Sequence, residues 1–246
     1  MTVLDAWLYG THVAEVRSLN PERVELRFTG DALDRWGVNA PVLSGLLPLS
    51  FDAPAPARVS AWLRGLMPEG ASRRRLAQNA GVDTQDTVAF LGAYGLDTTG
   101  ALVLVPQGAD PDPPGHLDPV SDTQVAHLLD QAETTGSADQ ITSIAGLETK
   151  IALTWTPAGW ASPVGRPPST HIVKLARPSG SRTADLIDTE AAALDLARRC
   201  ALSTVHAELV TFAGRRTIVV ERYDRVAHED GRLTRVRRVL AIPATP

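Results

Sequence analysis

The stretch ITSIAGLETKIAL, Ile141 to Leu153, sets two apolar flanks around a short polar loop that carries a serine, a single glycine and a lysine. Two readings of it are open: a nucleotide cradle between two strands, or a hairpin with a flexible tip. A phosphate cradle needs backbone N–H groups in a tight turn, small residues that let the main chain approach the anion, and a lysine to balance the charge. Ser143 to Lys150 supply these parts, with Gly146 and Ala145 as the small residues. An ordinary hairpin tip would look the same, so the choice rests on the strands and the helix downstream of the loop.

IALTW leaves the loop as a strand, and HIVKL forms another after the Pro-rich connection SPVGRPPS. DTEAAALDLARRC reads as a helix with Asp188 as its N-cap and an Ala/Leu-rich body, and AELVTF and TIVVERYD follow as strands joined by AGRR. Lys174 sits at the centre of the apolar run Ile172 to Leu175. Its burial is costly unless it is paired or touches an anion. In the kinase arrangement a third-strand lysine binds the α- and β-phosphates and is held by a glutamate of the following helix; Glu190 lies in that helix's first turn. The plainer alternative is an edge strand whose lysine reaches out to water. VVERYDR, Val219 to Arg225, then leaves an apolar strand for a charged segment where a hinge would sit, and extended hinge backbone can hydrogen-bond adenine. Equally, Glu221 and Asp224 could form surface ion pairs with Arg222 and Arg225 that contribute little.

Toward the N-terminus, VLDAWLYG, VAEVRS and RVELRF read as a strand meander; Val24, Leu26 and Phe28 alternate with Arg23, Glu25 and Arg27. From Ala57 to Gly95 the pattern is helical, with stops at Gly81 and Gly95, and ALVLV is a buried strand. PQGADPDPPGHLDP, residues 106–119, holds five prolines and two glycines and reads as a linker without regular structure. Ser121 and Gln124 then have the spacing of a capping box, opening a helix with Val125, Leu128 and Leu129 on its apolar face, a possible bridge between two lobes.

Bulk properties exclude several classes. A formal charge of −4, 24 basic against 28 acidic side chains, creates no global field toward nucleic acid or anionic membrane. One cysteine, Cys200, excludes a disulfide framework and a thiolate zinc site, and on its helix it is expected in the core. The six histidines show no metal-ligand spacing. Gly-x-Ser-x-Gly, P-loop and Gly-x-Gly-x-x-Gly patterns are absent, and Arg73 to Arg75 and the tail group Arg232, Arg235, Arg237 and Arg238 could touch nucleic-acid phosphates but read first as solvated faces. With neither a secretory leader nor a long apolar run, the chain reads as cytoplasmic.

Taken together the motifs resemble the HipA-type serine/threonine kinase toxins of bacterial toxin-antitoxin pairs. SIAGLETKIAL looks like that family's Gly-rich loop with its autophosphorylated serine, THIVKLA like its ATP-lysine strand, and VVERYDR like its hinge; LRGLMPEG and TTGALVLVP resemble its N-terminal subdomain. The resemblance implies an α+β fold: an N-terminal β-meander plus helices subdomain, residues 1–105, packed across a 106–120 linker on a protein-kinase-like N-lobe, residues 121–246, of five antiparallel strands and one helix. It implies that Ala145, Gly146, Leu147, Glu148, Thr149 and Lys150 cover the triphosphate of ATP. Lys174 and Glu190 bind it, Glu221, Arg222 and Tyr223 hold the adenine end, and Ser143 is the site of autophosphorylation. It further implies a protein Ser/Thr substrate such as an aminoacyl-tRNA synthetase, a HipB-type DNA-binding antitoxin, and DNA contact only through that antitoxin.

Two departures stand out. Glu148-Thr149 replaces the family's usual Gln-Glu, which puts an extra carboxylate near the phosphates. Only some twenty residues follow the hinge motif, whereas the family's acceptor-orienting aspartate and Mg²⁺ ligands lie in a helical lobe after it. The expectation is a chain cut short after the hinge, by truncation or a frame change, with no catalytic residue of its own and little phosphotransfer. The alternative is a non-catalytic partner of an antitoxin or of a separately encoded kinase lobe.

Overall fold

The computed structural model describes residues 2–20, 23–135, 148–165, 167–177, 180–181, 183–227 and 233–236. The meander forms as its alternation predicts. Val3–Leu8 (β1), Thr11–Asn20 (β2) and Arg23–Phe28 (β3) pair antiparallel, with Val24 and Leu26 buried and Arg23 and Arg27 outside. Tyr9 and Gly10, at φ 51° and 75°, make the two-residue turn between β1 and β2, because positive φ at both positions matches the twist of the flanking strands. Four helices follow: Gly30–Trp36 (α1), Pro56–Arg64 (α2), Gly70–Asn79 (α3) and Thr87–Tyr94 (α4). Asp86 caps the last of these, its carboxylate accepting from the Ala89 N–H at 2.9 Å. Leu102–Pro106 (β4) then closes the sheet in the order β3-β2-β1-β4. Leu4, Leu26, Leu47, Leu63, Phe90 and Leu104 form the first core.

Gly95 ends α4 where the helix meets β4. A Cβ there would lie 2.4 Å from the carbonyl oxygens of Leu91 and Leu104, both backbone atoms that cannot swing away. Gly95→Ala is therefore expected to destabilise by at least about 1–3 kcal/mol, the usual cost of overpacking, read as a lower urea midpoint at unchanged slope.

The second sheet has six strands where five were expected. His116–Pro119 (β5) forms inside the stretch read as structureless, ahead of the helix Asp122–Thr135 (α5). Lys150–Thr156 (β6), Gly159–Val164 (β7), His171–Leu175 (β8), Ala207–Phe212 (β9) and Arg215–Glu221 (β10) complete it, in the order β5-β7-β6-β8-β10-β9 with antiparallel pairing throughout. The prolines misled because they exclude a central strand but not an edge one, and β5 pairs on one side only. Arg225–Ala227 (β11) and Leu233–Arg235 (β12) make a separate small pair.

The Ser121–Gln124 capping box is present: the Ser121 N–H donates to Gln124 Oε1 at 2.9 Å, and the Gln124 N–H to Ser121 Oγ at 3.4 Å. From it α5 lays Val125, Leu129 and Ala132 on Ile151, Leu153, Val173, Leu175, Phe212 and Val219, the second core. The same helix touches α3, where Arg75 donates to the Glu133 carbonyl, so it does bridge the two cores.

The helix Leu186–Arg199 (α6) packs on β9 and β10. Its N-cap is Asp185, not Asp188, whose carboxylate instead accepts from the Arg216 guanidinium. Ile187 is its buried residue. Cys200, expected in the core, is the exposed C-cap, because so little of this helix is covered.

Candidate nucleotide site and the buried cluster beneath it

Successive side chains of β8 point to opposite faces. Val173 and Leu175 enter the core under α5, which sends Lys174 to the other face, toward α6. There its Nζ donates to Glu190 Oε1 at 2.5 Å, one helical turn into α6. Lys150 is the register partner of Lys174 on β6, so two ammonium groups share one face of the sheet. Burial, and after it the repulsion of Lys174, pull the Lys150 pKa down to about 8 against the attraction of Glu148, Glu190 and Glu69. Two partly buried cations side by side, one aimed by a carboxylate, form a site that gains by taking an anion.

The remaining residues divide. Glu148 accepts from Arg177 Nη2 at 2.8 Å and Nε at 3.3 Å, so the extra carboxylate is answered by its own cation. Thr149 places its carbonyl in the sheet, accepting from the Leu175 N–H at 3.0 Å. Ser143, Ala145, Gly146 and Leu147 lie outside the described residues.

Along the hinge motif the chain alternates. Glu221 and Tyr223 face out, while Arg222, Asp224 and Arg225 are buried. The reading of these charges as surface ion pairs is overturned. Arg222 grips Asp224 with Nε and Nη2, both at 3.0 Å, and reaches Asp97 Oδ2 at 3.1 Å, Ser169 Oγ at 2.8 Å and the Thr98 carbonyl at 2.9 Å. Arg225 donates to Asp97 Oδ1 at 2.6 Å and to the Gly100 carbonyl at 2.9 Å, and Asp224 Oδ2 in turn accepts the Gly100 N–H at 2.5 Å. Arg235 stands 3.8 Å from Asp97. Burial alone would raise the Asp97 pKa, but Arg222, Arg225, Arg235 and the Ser169 hydroxyl outweigh it and hold it at about 2.

The cluster joins the segment between α4 and β4 to the residues that enter β8 and leave β10. It also holds the side chain of Arg222, which the resemblance assigned to the adenine end. Its guanidinium is consumed here, its N–H donates to the Thr170 carbonyl at 2.8 Å, and its carbonyl accepts the Arg225 N–H at 3.2 Å. The Glu221 N–H is likewise given to the His206 carbonyl at 2.8 Å. Asp97 and Ser169 were missed by sequence reasoning. The one available signal was position, Asp97 standing directly before the TTGALVLVP motif.

A lysine-bearing antiparallel sheet with a glutamate from its packed helix, joined to a sheet-and-helix module by a buried ionic cluster, defines a kinase-type small lobe with an N-terminal partner module. Comparison with known proteins names the family. The HipA N-terminal domain model matches residues 4–105 and the HipA-like C-terminal domain model residues 142–241. The chain belongs to the HipA family. It is 29% identical over 245 residues to Y4mE of Sinorhizobium fredii, a protein named as a kinase, covering 96% of this chain and 57% of that protein. It is 28% identical over 195 residues to the serine/threonine-protein kinase toxin HipA of Shewanella oneidensis, covering 77% of this chain and 43% of the toxin. A solved complex of Shewanella oneidensis HipA with HipB and its operator DNA matches with a TM-score of 0.73 at 25% identity, covering 94% of this chain and 53% of that one. The chain thus spans about half the length of these relatives.

Proposed function

We propose that this chain carries the nucleotide-holding half of a HipA-type serine/threonine kinase toxin. Lys174 and Lys150 take the phosphates of ATP, Glu190 aims Lys174, and the outward Glu221–Tyr223 edge lies against the adenine end. The observation that carries the reading is the Lys174–Glu190 pair at 2.5 Å on the face shared with Lys150. These residues fit a triphosphate by charge and placement. Mg²⁺ is proposed to arrive with the nucleotide, held by its phosphates. Phosphoryl transfer to a protein Ser/Thr such as an aminoacyl-tRNA synthetase, and restraint by a HipB-type antitoxin through which DNA is met, are proposed for the whole protein, of which this chain spans about half. Among the described residues no helix is long and apolar enough to cross a membrane.

The test is Mg·ATP binding to the purified chain by calorimetry, and Lys150 gives it a second readout. A triphosphate against Lys150 raises a pKa that stands at about 8. At pH 8 binding is therefore expected to take up about half a proton, falling toward none below about pH 7, with affinity declining as pH rises further. Titrations in two buffers of different ionisation enthalpy measure this. Absence of binding heat would sink the nucleotide reading, and binding without proton uptake would remove Lys150 from it.

A second reading, a non-catalytic partner of an antitoxin or of a separate kinase lobe, is favoured by apolar side chains left open around α6 and β9. Leu196 is 61%, Leu202 82% and Leu209 44% exposed.

A further inference from the structure

The face of the second sheet opposite Lys174 is covered by α5, but the cover stops short. Trp155 and Trp160 are register partners on β6 and β7, with rings 4.8 Å apart and edge-on. Trp160 is anchored inward, edge-on to His171 at 5.0 Å and to Phe212 at 6.2 Å. Trp155 has no such cover and is 54% exposed. Between these rings, Pro119 and the first turn of α5 lies an open groove of about 560 Å³.

The groove's chemistry is one-sided. Its charged side chain is Asp122, which forms no ion pair among the described residues. β5 and α5, which form one wall, carry Asp118, Asp122, Asp130 and Glu133 and no Lys or Arg; Asp118 is paired with His116, and Asp130 and Glu133 with Arg215, so the groove's acid is Asp122. The inner end is neutral, because burial lowers the His171 pKa to about 4. Hydrogen-bonding capacity is largely spent. Ser121 and Gln124 bond each other in the capping box, and the Val120 N–H is given to the Trp160 carbonyl at 2.9 Å. Strand addition on the two tryptophan-bearing strands is closed to a ligand as well, since β6 and β7 are both interior to the sheet.

We propose that this groove binds a cationic, proline-containing peptide segment of a partner protein. Such a segment in polyproline II conformation needs no backbone ladder, lays its rings on aromatic faces and carries its own shape at low entropic cost. An arginine or lysine flanking the prolines is drawn to the open Trp155 face and the Asp122 carboxylate together. The groove lies on the opposite face of the sheet from Lys174 and Lys150, so it is independent of the nucleotide reading.

The test uses the intact chain and three synthetic heptapeptides: Arg-Pro-Leu-Pro-Pro-Leu-Pro, the same with Glu for Arg, and the same with Ala for every Pro. By calorimetry the first is expected to bind and both others to bind at least about tenfold more weakly. Trp155→Ala is expected to lose at least about tenfold in affinity, and Asp122→Asn about threefold with a flatter salt dependence. Both positions are open to solvent, and thermal melts of the variants check their folding; Trp155→Phe substitutes if the alanine variant melts early. Equal binding of the three peptides, no binding of any, or affinity indifferent to both substitutions overturns the proposal. So does sedimentation that shows a Trp155-dependent dimer, because a second copy would then be the occupant.

Discussion

Asp97→Asn lowers the unfolding free energy by about 3–5 kcal/mol, the cost of removing one partner from a buried ionic set. The substitution keeps the shape of the side chain and removes only its charge. What remains is Asp224 paired with Arg222 and Arg225, both buried, while Arg235 stands beside a position 97 that no longer carries charge. Deep burial means that water cannot compensate, which separates this set from exposed pairs such as Arg198–Asp195. The pH dependence gives an independent check. The folded Asp97 pKa of about 2 lies below its ordinary 3.8, so its contribution is complete above about pH 4 and is lost as pH falls through 2. Urea titrations from pH 5 to pH 2 should show the wild type losing stability in that window and the variant losing less. A loss under about 1 kcal/mol at neutral pH would mean that water or rearrangement satisfies the arginines, and the cluster would then not be what joins the two modules. The figure measures a broken set. An apolar replacement of all its members could fold equally well.

That cluster marks where the sequence stopped being legible. The strands of the first sheet could be read because period-2 alternation is local: Val24 and Leu26 declare their face through the charged residues beside them. Lys174 could be read for the same reason, as a charge inside an apolar run, and Glu190 because a kinase-type lysine calls for a carboxylate on the next helix. Asp97 could not. Its partners Arg222 and Arg225 lie 125 and 128 positions away, and a charged residue carries no local mark of burial. The hinge motif even misdirected, since four charges of alternating sign within five residues look like a solvated edge until the module that covers them is in place. The prolines before α5 hid an edge strand for the related reason that β5 is held by pairing to β7, a partner more than forty residues later. Cys200 was misplaced because an Ala/Leu-rich helix suggests two covered faces, whereas α6 buries Ile187 and leaves Leu196 61% exposed.

Lys174→Ala weakens Mg·ATP binding by about ten- to hundredfold, the worth of about 1.5–3 kcal/mol for a charge-assisted contact that is partly shielded from water. The loss has two sources. One is the missing ammonium. The other is Glu190, which in the wild type spends its charge on Lys174 at 2.5 Å and in the variant turns a carboxylate without that partner toward the phosphates. The sources separate in a double-mutant cycle. Glu190→Ala alone leaves Lys174 free to swing, and is expected to cost a few-fold, about 0.5–1 kcal/mol. The double variant should bind ATP better than Lys174→Ala alone, because it removes the repulsion along with the attraction, giving a coupling of about 1 kcal/mol. Lys150 keeps the loss finite, since the neighbouring strand still offers one cation on the same face. Strict additivity would show that the Lys174–Glu190 pair supports only the packing of α6 and does not address the nucleotide. Unchanged affinity in Lys174→Ala would place ATP elsewhere on the chain. A double variant that binds more tightly than the single, with melting curves unaltered, would identify this lysine-glutamate pair as the phosphate-facing element of the lobe.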